Sequence, residues 1–184
     1  MAVSPFATHP TEIDGLVRIE LKQIDDERGV VREFFRASTY PPALPPWRQV
    51  NVTETTQGAV RGMHGEDATK LVGIVEGEAF GAYVDLRADS PTRDRLVTLQ
   101  LRKGTQVLVP PGVANGFQAV APGVTQYLYC FDTEWAPDMT GVFVHPLDPT
   151  LAIPWPLAID PENRAQLSAK DAALPLLDPT LPGV

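Results

Sequence analysis

The chain has 184 residues, 43% apolar and 21% charged, the balance of one globular domain with a single substantial core. Its 23 acidic residues outweigh 15 basic ones for a formal charge of −8. That excludes an extended groove for nucleic-acid backbone but leaves room for a local basic pocket that holds one diphosphate.

No stretch approaches the roughly 18 uninterrupted apolar residues of a membrane span, so no membrane association is expected. The opening segment, MAVSPFATHPTEIDG, has neither a basic nor an apolar region, and no secretory signal is expected. Cys130 is the only cysteine, which excludes an internal disulfide and favours a reducing, cytoplasmic compartment. Three histidines (His9, His64 and His145) are too few for a His-rich metal cage, and no metal or other cofactor is expected.

Nineteen prolines and fourteen glycines leave little room for long helices. From the N-terminus, Leu16–Lys22 alternates Val17, Ile19 and Leu21 against Arg18, Glu20 and Lys22, the period of a half-buried strand. Further strands are predicted at residues 30–35, 49–53, 70–75 and 79–86. Val97, Leu99 and Leu101 then alternate against Thr98, Gln100 and Arg102, and more strands follow at 106–109, 117–120, 125–131 and 141–144. Turn signals separate them: Glu76-Gly77-Glu78, Ala88-Asp89-Ser90-Pro91, Lys103-Gly104 and Ala121-Pro122-Gly123. About ten short strands at this spacing predict an all-β sandwich or barrel, one domain over 1–184. From Pro146 to Val184 the chain is proline-rich and has no strand period, so 146–184 reads as an extended arm. One short helical turn is predicted to begin at Ser168. Such an arm can deliver a single side chain into a pocket formed by the body of the fold.

Three stretches carry potential chemistry. In Arg61-Gly62-Met63-His64-Gly65 a histidine and an arginine are bracketed by glycines at the end of a predicted strand. Alone, such a histidine is more often structural than catalytic, although its ordinary pKa near 6.5 suits proton transfer at neutral pH. Val109–Phe117, with Pro110-Pro111-Gly112, reads as a tight turn. Tyr127, Tyr129 and Phe131 share one face of a strand, and an aromatic stripe of this kind is usually core.

Taken in order, these segments resemble the dTDP-4-dehydrorhamnose 3,5-epimerase family. The resemblance rests on Arg61-Gly62-Met63-His64, Lys70-Leu71-Val72, Gly77–Phe80, Val84–Arg87, Ser90-Pro91-Thr92, Pro110–Phe117, Tyr127-Leu128-Tyr129, Asp148-Pro149, Trp155-Pro156-Leu157 and Leu167–Asp171. Upstream, Asp26–Gly29, Glu33-Phe34 and Gln49-Val50-Asn51 match as well. The resemblance implies a cupin-type jelly roll, usually a homodimer, that binds a nucleotide-linked 4-keto-6-deoxyhexose and uses no metal. It implies that His64 is the base, Asp171 its partner, Tyr129 the acid on the opposite face, and Lys70 the group that stabilises the enolate oxygen. It places Arg28, Glu33, Gln49, Asn51 and Arg61 around the nucleotide and diphosphate, partly across a dimer interface, with Lys170 as a further diphosphate contact. On the bare sequence Asp85 reads as a strand-end turn residue.

Three departures bear on the substrate. His64 and Lys70 are only six positions apart, where the family commonly has a longer loop. Asn115 replaces the family's histidine, and an amide hydrogen-bonds but does not shuttle protons. Trp135 stands where many members have a tyrosine near the sugar and base. These changes also fit a single-centre epimerase for another sugar nucleotide, such as a GDP-linked 4-keto heptose. From other classes, the same scaffold allows a sugar-nucleotide-binding jelly roll without catalysis, or a metal-dependent cupin oxygenase.

Overall fold

The computed structural model describes residues 2–40, 44 and 46–177. The end of the proline-rich arm, 178–184 with Pro179 and Pro182, lies outside the described residues. In chain order the strands are β1 (Ala2–Ser4), β2 (Ala7–Pro10), β3 (Val17–Glu20), β4 (Gln23–Asp26), β5 (Gly29–Arg32), β6 (Gln49–Thr56) and β7 (Val60–Glu66). They continue with β8 (Lys70–Glu76), β9 (Glu78–Asp85), β10 (Leu96–Arg102), β11 (Thr105–Val109), β12 (Val113–Ala119), β13 (Val124–Phe131) and β14 (Gly141–Phe143), and one short helix, α1 (Ala169–Ala172).

The strands pair antiparallel in two large sheets. One has the order β2-β3-β11-β8-β13-β6 and the other β10-β9-β12-β7-β14, while β1, β4 and β5 form a small third sheet. The two large sheets make the cupin-like jelly roll. Their inner faces share a core of Val72, Ile74 and Tyr127 from the six-stranded sheet with Ala79, Tyr83 and Phe117 from the five-stranded one. The alternation in β3 does what its period predicts, with Ile19 buried between half-buried Arg18 and Glu20.

Several expectations need correction. The expected strand at 30–35 shortens to β5 and is largely exposed, because it belongs to a hairpin outside the two-sheet core. Val113–Gly116, expected as a turn, is the first half of β12 and pairs with β9; only residues 110–112 turn. β1, β2 and β4 carry no clear apolar alternation, since each lies mostly on exposed or half-exposed surface.

The arm is tied to the body by polar contacts as well as packing. Gln118, fully buried in β12, donates from Nε2 to the Leu157 carbonyl (2.9 Å) and accepts from the Leu157 N–H (3.0 Å). Asp148 accepts from the backbone N–H groups of Thr150, Leu151 and Leu177. Farther on, Val60 of β7 donates to the Gln166 carbonyl (2.8 Å), and Val60 and Leu167 form a parallel bridge. The arm therefore runs beside β7 immediately before α1.

Asp85 closes the turn after β9. It is fully buried and accepts from Arg87 Nε (2.8 Å), Arg87 Nη2 (2.7 Å), Ser90 and Thr92. Burial pushes its carboxyl up, but these hydrogen bonds outweigh burial and hold it far below the usual aspartate range. Asp85→Ala leaves Arg87 without its partner and is expected to cost about 3 kcal/mol by urea denaturation. Because the folded value is depressed, the contribution of Asp85 is complete above the unfolded aspartate pKa near 3.9 and is lost as pH falls below it. The stability gap between wild type and Asp85→Ala therefore narrows in acid.

Candidate active site

A cavity of about 540 Å³ opens between the large sheets. Its walls come from β6, β8 and β13 on one side, β7 and β12 on the other, and the arm at the edge.

β7 supplies Arg61, His64 and Glu66. Arg61 and His64 are three residues apart, so a regular strand would send them to opposite faces. Opposite them on β12, Phe117 pairs with Arg61 and Asn115 with His64, two residues against three. This bulge brings both side chains to the cavity wall. Glycine makes it feasible: Gly62 has φ +129°, and a Cβ there would lie 2.5 Å from the Gly116 Cα. The glycines around His64 thus serve close approach of β7 and β12.

His64 is backed by the arm. Its Nε2 lies 2.8 Å from Asp171 Oδ1, and Asp171 is 4% exposed. Ser168 caps α1 by accepting from the Asp171 N–H at 3.0 Å, which fixes the carboxylate's approach. With Nε2–H donated to a carboxylate, the lone pair of the imidazole sits on Nδ1.

Lys70, at the start of β8, is fully enclosed. Its Nζ donates to the His64 carbonyl (2.9 Å) and to Glu66 Oε2 (2.6 Å). Burial pushes the Lys70 ammonium below the usual lysine value, against the pull of Glu66. At Glu66 burial raises the carboxyl, but the charge and hydrogen bond of Lys70 hold it below the ordinary glutamate value. A lysine has three donors, and two are engaged here. The short connection between β7 and β8 is what places Glu66 four residues before Lys70 and allows this pair. Sequence reasoning missed Glu66, although its signal is present: two residues after His64 on a strand, it shares the histidine's face.

Tyr129 stands on the opposing sheet, half-buried on β13 between Tyr127 and Phe131. Burial pushes its phenol up, Arg61 pulls it down, Glu66 raises it and Asn51 lowers it. The phenol is protonated at neutral pH.

At the rim, Gln49 Oε1 accepts from the Trp135 N–H at 2.7 Å, and Lys170 Nζ lies 5.5 Å from the centre of the Trp135 ring. Asn51 lines the wall beside Gln49, and Arg61 donates from Nε to Thr55 Oγ1 at 2.9 Å. The cavity thus gathers ten of the twelve residues expected at the site: His64, Tyr129, Asp171, Lys70, Gln49, Asn51, Arg61, Asn115, Trp135 and Lys170. Arg28 and Glu33 are not among them. Arg28 projects from the tip of the β4–β5 hairpin, its side chain 88% exposed and paired with Asp26. Glu33 pairs with Arg36 and Lys22 beyond β5. The small third sheet carries both away from the cavity of their own chain.

Geometrically, the cavity offers a histidine–aspartate dyad on one wall, a protonated phenol on the other, and a buried ammonium between them. A model of the dTDP-4-dehydrorhamnose 3,5-epimerase family matches residues 10–179. The chain is 33% identical over 180 residues to the dTDP-4-dehydrorhamnose 3,5-epimerase of Salmonella typhimurium, covering 93% of this chain and 95% of the relative. It superposes with a TM-score of 0.84 and 34% identity on the Legionella pneumophila dTDP-6-deoxy-D-glucose-3,5-epimerase in complex with dTDP-4-keto-L-rhamnose (94% and 93% covered). A 3′-monoepimerase of Streptomyces bikiniensis in complex with dTDP-quinovose gives 0.81 and 31% (91% and 86% covered). With a match that runs through the jelly roll and into the arm, the chain belongs to the dTDP-4-dehydrorhamnose 3,5-epimerase family.

Proposed function

We propose that this chain is an isomerase that inverts the centre next to the C4 ketone of a dTDP-linked 4-keto-6-deoxyhexose, at C3, C5 or both. The observation that carries the reading is the His64–Asp171 dyad facing Tyr129 from the opposite sheet. A carbon acid beside a ketone is removable only if the enolate is stabilised, and inversion needs an acid on the other face.

In the reaction, His64 Nδ1 takes the proton from the carbon beside the ketone, and the electron pair moves onto the C4 oxygen. Asp171 stabilises the imidazolium that forms. The free donor of Lys70 meets the enolate oxygen, and Glu66 keeps the ammonium in place. Tyr129 then delivers its phenolic proton to the opposite face, and the ketone re-forms. The histidine and phenolate return to their starting states by exchange with solvent. Every step uses side-chain acids and bases. A binding module would need none of this arrangement.

At the rim, Arg61 and Lys170 supply positive charge for the diphosphate, while Gln49, Asn51 and Trp135 hold the nucleotide. Arg28 and Glu33 reach a nucleotide only in the cavity of a second copy. A homodimer fits the surface: β6 is an unpaired edge of its sheet, with Val50 57% and Val52 53% exposed, and Val31 of β5 is 63% exposed. No helix among the described residues is long and apolar enough to cross a membrane. Cys130 is buried and its thiol is pushed up to about 11, an inert group in keeping with a reducing cytoplasm.

The test is incubation with a dTDP-linked 4-keto-6-deoxyhexose in heavy water, with deuterium and configuration located by NMR. Wild type is expected to introduce deuterium with inversion, and His64→Ala to lower uptake at least 10³-fold. Tyr129→Phe is expected to abolish inversion, so that any deuterium entering through His64 does so with retained configuration. Normal inversion in either variant refutes the assignment. For the assembly, sedimentation equilibrium is expected to give twice the 20.0 kDa chain mass; a monomer removes Arg28 and Glu33 from the site.

A further inference from the structure

Beside His64, three oxygen atoms are buried without a hydrogen-bond partner among the described residues: Tyr83 Oη, Tyr127 Oη and Asn115 Oδ1. Tyr83 is 0% and Tyr127 3% exposed. Leaving such a group unpaired costs about 1–3 kcal/mol, so three together call for an explanation. They are neighbours. Asn115 and Tyr83 are register partners on β12 and β9, and Tyr127 interacts with both from the other sheet. Asn115 is also the register partner of His64.

The surroundings hold these groups in place. Phe117 stacks flat on Tyr127, with ring centres 4.0 Å apart and planes 7° apart. Gly81 makes room for the Tyr83 hydroxyl, since a Cβ there would lie 2.9 Å from it. Tyr127 and Asn115 line the cavity, whereas Tyr83 stands behind Tyr127.

We propose that Tyr127, Asn115 and Tyr83 form a hydroxyl-recognition floor that takes the C2 hydroxyl of the substrate's sugar. One hydroxyl satisfies all three groups. Tyr83 donates to the Tyr127 oxygen, Tyr127 donates to the ligand oxygen, and the ligand O–H donates to Asn115 Oδ1. The floor adjoins the base, so the hydroxyl it receives sits on a carbon next to the reacting one. When C3 reacts, C2 is that carbon, and its hydroxyl keeps its place as C3 inverts. The inference rests on the nucleotide-sugar reading of the site but not on the proton-transfer steps.

The test compares Kd by calorimetry for dTDP-quinovose and for its counterpart lacking the C2 hydroxyl. Deuterium uptake, measured separately, reports whether the epimerase reading holds. Wild type is expected to bind the hydroxyl-bearing sugar about tenfold more tightly, one well-placed hydrogen bond in a buried site. Tyr127→Phe is expected to bring the ratio to within about twofold, the loss falling on the hydroxyl-bearing ligand. Equal affinities in wild type overturn the proposal, as does an equal loss for both ligands in Tyr127→Phe, which marks a water-filled or purely structural floor.

Discussion

The chemistry of the site depends on one contact between residues that the sequence keeps far apart: the bond between His64 on β7 and Asp171 in the arm, 107 positions later. An imidazole on a sheet wall has no preferred tautomer, and a carboxylate behind it selects one. The structure spends several features on that contact. The parallel bridge of Val60 with Leu167 aligns the arm with β7, and Ser168 starts α1 so that Asp171 falls in its first turn. Four residues of helix have little stability of their own, so the position of Asp171 comes from the packing of the arm.

The second constraint is electrostatic. A fully buried lysine is costly as an ion, and here Glu66 and the His64 carbonyl compensate it without using its third donor. The local field is therefore close to neutral before the reaction, and negative charge developing on a ketone oxygen meets a preorganised donor. Burial, with a smaller push from the same carboxylate, raises the phenol of Tyr129 and keeps the acid protonated. Glu66 thus holds the electrophile directly and acts on the acid only through its charge.

Much of the frame was legible in the sequence where burial is one-sided. β3, β8, β9, β10 and β13 alternate or run apolar as half-buried or core strands do, and the turn residues between them mark their ends. The residues at the site were legible through resemblance, not through period. β7 illustrates why: its bulge at Gly62 breaks the two-residue rhythm, so Arg61 and His64 share a wall that simple alternation denies them. Glu66 escaped because its partner, Lys70, lies across a turn and on the other sheet. Arg28 and Glu33 were placed at the site by resemblance, yet the hairpin that carries them stands away from the cavity of its own chain. The buried hydroxyls of Tyr83 and Tyr127 look in sequence like ordinary core aromatics, and only their missing partners set them apart.

The most direct measurement of the central claim is the rate of deuterium uptake into the 4-keto sugar by Asp171→Asn, with the protein confirmed folded. An asparagine preserves the shape of the contact but presents an amide that can donate to Nε2, which moves the ring proton to Nδ1 and removes the basic lone pair. The account predicts a fall of about 10³-fold or more relative to wild type. A rate within threefold of wild type would show that the arm's carboxylate does not govern the base.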